Sequence, residues 1–219
     1  MSPDIASARW LTVHDELLRG ITHALSNRIA TIAAASYMFE HGDVPVEHVT
    51  ASLKVESERM EKLLQELRLL PERPDAEAEP LTANDACSAA VRLHAHHADW
   101  GEFECDVTVD ADVYPIWAEP QAFNHALLVA LTTAKRNALS GSRVTIRVTG
   151  DVRVVRFRAE SQALDAANRE TNSALNDVDA AAAAWLLRRF GGTARSLANG
   201  CEIEIPTLLA ARRAQKGLG

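Results

Sequence analysis

The chain has 219 residues, of which 47% are hydrophobic and 24% charged, with a formal net charge of -7. That composition is too apolar for a disordered chain, and its acidity argues against nucleic acid or an anionic membrane as a partner. No window approaches the roughly 18 uninterrupted apolar residues that a membrane span requires. Met1 to Ala8 lacks the basic-then-apolar order of a signal peptide. The widely spaced Cys87, Cys105 and Cys201 read as reduced, buried thiols, so a soluble cytoplasmic protein is expected.

From Ala8 to about Glu40 there is no Pro, and Gly20 is the only Gly. Leu11, Leu18, Ile21, Leu25, Ile29 and Ile32 recur at helical spacing and predict a long amphipathic helix. Gly42 and Pro45 end it, since Gly suits the position after a helix and Pro cannot continue one. Val49, Leu53, Met60, Leu63, Leu64 and Leu67 mark a second helix from about Val46 to Leu70. Each helix spans roughly 25 to 30 residues, about 40 Å at 1.5 Å per residue. A hairpin of that length cannot bury both stripes alone, so a homodimer forming a four-helix bundle is expected. Residues 1–74 are thus read as the helical and dimerisation domain, and the Pro-rich stretch 75–80 as a linker.

Beyond the linker the pattern changes. Asn84 to His97 reads as a helix, Phe103 to Val109 and Val113 to Trp117 as strands, and Pro120 to Ala138 as a mostly apolar helix. Arg143 to Val148 and Val152 to Ala159 alternate around Thr149-Gly150-Asp151 and predict a β-hairpin. An Ala-rich helix from Asp179 to Phe190 ends at Gly191-Gly192, and Glu202 to Ile205 is the last predicted strand. Residues 81–207 are expected to form an α/β sandwich, a mixed sheet covered on one face by helices. The basic tail 208–219 is expected to be frayed.

The segment Thr22-His23-Ala24-Leu25-Ser26-Asn27-Arg28-Ile29-Ala30-Thr31-Ile32 resembles the H-box of histidine kinases. His23, Leu25, Asn27, Ile29 and Ile32 fall where that family carries its phospho-accepting His and the polar and apolar residues after it. Val113-Tyr114-Pro115-Ile116-Trp117-Ala118-Glu119-Pro120 is similar to the strand that leads into the N-box helix of the family's ATP-binding domain. The order of elements then continues through Phe190-Gly191-Gly192, so the resemblance covers roughly residues 8 to 206. It implies a fold of the histidine-kinase type, α + α/β, with a phosphoacceptor hairpin followed by an ATPase-like sandwich. It further implies that His23 accepts a phosphoryl group from receiver-domain aspartates. An exposed imidazole is mostly neutral near pH 7 and therefore nucleophilic.

Departures from the family pattern are concentrated where nucleotide would bind. Thr133 stands where the resemblance places the Mg²⁺-holding Asn, and Ala159 where it places the adenine-reading Asp. Asp177-Val178-Asp179 and the alanines after it replace the Gly-rich loop whose amides approach phosphates. Ala24 replaces the acid that follows the phospho-accepting His. These changes imply a degenerate ATP-binding domain, with neither nucleotide nor metal held by this chain and Mg²⁺ supplied by the partner receiver. Asn27, one turn after His23 on the same face, would position water or the ring.

The expected function is a histidine phosphotransferase of a two-component phosphorelay, with response-regulator receivers and an upstream hybrid or sensor kinase as partners. Two competitors remain open: a divergent histidine kinase that still binds ATP, and a receiver-binding scaffold that carries no phosphate. His14 is a weaker acceptor candidate, since nine residues at about 100° each put it on the helix face opposite His23. His94, His96 and His97 are close in sequence but diverge around a helix, and they are read as structural. Arg188-Arg189 complements a helix dipole.

Overall fold

A computed structural model describes residues 3–42, 45–69, 77–96, 104–139, 141–163, 166–215 and 217. Residues 71–76 of the predicted hairpin end and linker, His97 and Phe103 lie outside them. The periodic apolar segments form two long helices, α1 (Pro3–Glu40) and α2 (Val46–Leu67). Gly42 follows α1 with φ 70°, a left-handed conformation that costs glycine little.

The second part begins within the predicted linker. Strand β1 (Glu79–Leu81) lies antiparallel to β3 (Ile116–Ala118), with Pro80 opposite Trp117. Between them run α3 (Ala83–His94), capped by the Thr82 hydroxyl accepting from the Asp85 amide at 3.2 Å, and β2 (Cys105–Val109). Helix α4 (Pro120–Arg136) starts on a strong signal: Pro120 opens it, and Glu119 accepts hydrogen bonds from the Gln121 and Ala122 amides. The predicted hairpin is β4 (Val144–Gly150) and β5 (Val154–Ser161), turned by Asp151, whose carboxylate accepts from the Arg153 and Val154 amides.

Three expectations need correction. The Ala-rich helix is longer than its sequence pattern, running as α5 (Ala166–Leu187) before a 3-10 turn at Arg188–Phe190. A strand absent from the prediction, β6 (Thr193–Leu197), pairs with β7 (Gly200–Pro206). The tail expected to fray forms α6 (Leu208–Gln215), because the Thr207 hydroxyl accepts from the Ala210 amide at 3.1 Å and the Leu208 amide donates to Pro115 at 2.7 Å.

The main sheet has the order β2-β4-β5-β7-β6; β2 and β4 are parallel and the other neighbours antiparallel. Its two faces follow from alternation along β5. Val155, Phe157 and Ala159 point into the core beneath α4, where Phe157 meets Phe123 edge to face at 4.8 Å. Arg156 and Arg158 point outward, and Arg156 pairs with Glu204 across the strands at 2.8 Å. Gly200 is required at its place, since a Cβ there would sit 1.9 Å from the Ala159 carbonyl oxygen. The fold is therefore a long helical hairpin followed by a mixed sheet under helices, the class expected.

Cys87 and Cys201 are buried, Cys105 is half-buried, and all three are free thiols. Burial pushes each of them up to about 12.

The hairpin does not stand apart from the sandwich. Val13, Leu17 and Ile21 of α1 belong to the same core as Leu127 and Leu131 of α4 and Leu187 of α5. The first half of α1 is consequently rotated toward α4 and α5, which leaves the predicted stripe residues Leu11 and Ile29 48% and 57% exposed. A shared core predicts shared stability. Leu17→Ala should cost about 2–5 kcal/mol and lower one common urea transition seen by circular dichroism and by tryptophan fluorescence. Two separate transitions, only one of them shifted, would contradict it.

Candidate functional site

His23 lies on α1 between the half-buried Leu25 and the buried Ile21, and its own side chain is exposed. That is the orientation its sequence spacing requires. Asn27 follows one turn later, and its Nδ2 lies 3.4 Å from His23 Nε2. That placement suits the tautomer in which Nε2 accepts from the amide and Nδ1 carries the ring proton. The neighbouring hydroxyls are turned away: Ser26 donates to the Thr22 carbonyl at 2.9 Å and Thr31 to the Asn27 carbonyl at 3.0 Å.

Beside this face, α1 is fastened to α2. Arg28 reaches Glu56 at 3.2 Å, and Arg59 reaches the same carboxylate at 2.6 Å. Desolvation acts to raise the Glu56 carboxyl, but the hydrogen bonds and charges of Arg59 and Arg28 outweigh it and hold the group below the usual carboxylate range. The ion-pair cluster thus ties α1 to α2 a little over one turn beyond His23.

Thr133 and Ala159 lie elsewhere and have other tasks. Thr133 is fully buried, and its hydroxyl lies 3.1 Å from the Val129 carbonyl and 3.0 Å from Asp179. Asp179, itself 0% exposed, is ion-paired with Arg9 of α1 at 2.6 Å and with Arg136 of α4 at 2.7 Å. Ala159 is buried in β5 opposite Cys201. A groove of about 1040 Å³ opens between the β4–β5 turn, the 3-10 turn and α6, lined by Trp117, Arg153, Phe190 and Arg213 among others; neither Thr133 nor Ala159 lines it.

His14 faces the sandwich. Its Nδ1 lies 3.1 Å from Nε2 of His125 on α4, and Trp10 packs against both rings and against Trp185 of α5. His96 bonds to Glu66 at 2.5 Å and joins the turn after α3 to α2. Among the described residues no three His, Cys, Asp or Glu side chains come together as a metal site would need. The ties Arg9–Asp179 and His14–His125 were not read from the sequence. Their only signals were an acid and a histidine placed inside apolar helices.

No family model matches this chain, and no curated protein matches it in sequence. Among solved structures, histidine kinase AdeS of Acinetobacter baumannii aligns at 14% identity and a TM-score of 0.46, over 85% of this chain and 98% of that one. A histidine kinase from Burkholderia phymatum STM815 aligns at 12% identity and a TM-score of 0.47, over 92% and 98%. A structure described as a bacterial phosphotransferase aligns at 16% identity and a TM-score of 0.43, over 89% and 95%. Likenesses at this level do not transfer a role to any residue.

Burial pushes His125 down to about 3, with the neighbouring His14 adding to the effect and a backbone hydrogen bond to Gln121 opposing it. Burial also lowers His14, against the pull of Asp15. The folded state thus holds the pair neutral, whereas an unfolded histidine takes its proton near pH 6.5. The contribution is complete above that pH and is lost as pH falls toward about 3, by about 1.4 kcal/mol per pH unit for His125. The urea midpoint of the wild type should therefore fall more steeply between pH 6 and 4 than that of His125→Leu. Parallel curves would contradict a neutral buried pair.

Proposed function

We propose that this protein is a histidine phosphotransferase of a two-component phosphorelay, exchanging a phosphoryl group between His23 and the aspartates of response-regulator receiver domains. The observation that carries it is the exposed His23 ring on a long, braced hairpin, with its Nε2 attended by Asn27. Such a ring is open to a globular partner, and the Asn27 amide releases the Nε2 lone pair as phosphorus approaches. The Nε2 atom attacks phosphorus while the bond from phosphorus to the aspartate oxygen breaks, and the electron pair leaves with the carboxylate. Asn27 can then turn its amide to a phosphoryl oxygen, or orient water when the receiver is to be dephosphorylated. Mg²⁺ belongs to the receiver, and an upstream hybrid or sensor kinase supplies the phosphoryl group.

A kinase that still binds ATP is the competing proposal. Against it stands the engagement of Thr133 by the buried Asp179, with Arg9 and Arg136 as further partners. Ala159, buried within the sheet, also offers no carboxylate for adenine. His23→Gln should leave the urea midpoint within about 0.5 kcal/mol of wild type, as exposed substitutions usually do, and abolish transfer from a phosphorylated receiver. The wild type should neither bind ATP-Mg²⁺ at micromolar concentration by calorimetry nor label itself with γ-phosphate. Unchanged transfer in His23→Gln would remove the assignment, and ATP-dependent labelling of His23 would replace it with the kinase.

The second element of the proposal is a homodimer built on the hairpin. Ile29 and Leu64 are 57% and 52% exposed in the single chain, while Leu53 and Met60, which share the α2 face of Leu64, are only half-buried. A second hairpin would cover them and complete a four-helix bundle. Light scattering should give twice the chain mass, and Leu53→Asp should dissociate or unfold the protein. A monomeric wild type at micromolar concentration would refute this part alone.

A further inference from the structure

Asp15, Arg19, His23, Asn27 and Thr31 follow one another at four-residue intervals on α1, and all five are exposed. Residues at that spacing form one ridge along a helix, with side chains of successive turns in reach of each other. Helical side chains lean toward the helix N-terminus and cover the turn before their own. The contact at 3.4 Å between Asn27 Nδ2 and His23 Nε2 is an instance of that lean. By the same geometry His23 leans over the turn that bears Arg19, while Arg19 leans over Asp15 and must swing back to meet a group carried on His23. The nearby arginines are differently committed, since Arg28 and Arg59 both serve Glu56 between the helices. Arg19 is the cation of the ridge.

We infer that Arg19 is the phosphoryl-binding residue of this site. This rests on His23 being the acceptor: once the N–P bond forms, Arg19 closes on the phosphoryl oxygens from the N-terminal side while Asn27 holds them from the other. The chemistry calls for such a group. Phosphorylation puts a near-dianion on a helix flank, and a guanidinium offers paired N–H donors to it. Arg19 already has an interaction partner in the unmodified chain, and the phosphoryl group must displace it. Attack by Nε2 uses the tautomer protonated on Nδ1, and that proton passes to solvent as the neutral phosphohistidine forms, so no further base is needed.

The test uses the full-length protein and phosphoramidate, a small donor that passes its phosphoryl group to imidazole nitrogen with loss of ammonia and needs no receiver. Labelling is followed by ³¹P NMR in wild type, Arg19→Ala, Arg19→Lys and His23→Gln. The expected result is a base-stable, acid-labile label that is absent in His23→Gln. Its rate of formation should drop about tenfold in Arg19→Ala, as for loss of a charge-assisted hydrogen bond, and return toward wild type in Arg19→Lys. The ³¹P shift should also titrate at higher pH in Arg19→Ala, because removing a cation disfavours the dianion; a merely structural residue would not move that midpoint. Equal rates and midpoints in wild type and Arg19→Ala overturn the role of Arg19 and leave His23 standing. A wild type that takes no label at His23 overturns the acceptor itself and, with it, this inference.

Discussion

Asp179 is a carboxylate with no exposed surface, and it survives there only because two arginines and a hydroxyl converge on it. An unpaired charge at that depth would cost several kcal/mol, so the partners are obligatory once the acid is in place. One partner, Arg9, comes from the first helix and lies 170 residues away in sequence. The others stand on α4. A single buried charge thereby joins the beginning of the chain to two helices of the sandwich.

The remaining architecture follows from that junction. With Arg9 fixed, Val13, Leu17 and Ile21 fall onto α4 and α5, and the Trp10, His14, His125 and Trp185 rings pack together beside them. A helix anchored over its first half has its rotation set for the second half as well. His23 then points outward because Ile21 points inward. Glu56 repeats the device between the two hairpin helices, again with one acid and two arginines. In both cases the polar cluster adds direction to contacts that apolar packing alone would leave free to rotate.

Much of the fold was legible because its signals are local. The helix stripes, the stop at Gly42 and Pro45, the Glu119-Pro120 start of α4 and the turn at Asp151 each occupy a few adjacent residues. The pair His23 and Asn27 was legible for the same reason, since four residues make one helical turn. Strand β6 was not, because Thr193-Ala194-Arg195-Ser196-Leu197 alternates weakly and is held by its pairing with β7. Helix α6 depends on Thr207 and on contact with Pro115, which no window over the tail contains. The Asp179 cluster is the plainest case. Asp179 sits before a run of alanines and Arg9 near the start of the chain, so neither residue's surroundings announce the other.

The three thiols have a practical consequence for anyone wishing to watch this molecule move. With each raised to about 12 by burial, little of the reactive thiolate forms at neutral pH. Alkylating dyes would therefore pass over all three. A cysteine placed at an exposed position such as Ser57 on α2 would react far faster, and the chain could carry a single fluorophore or spin label there with its own cysteines left in place.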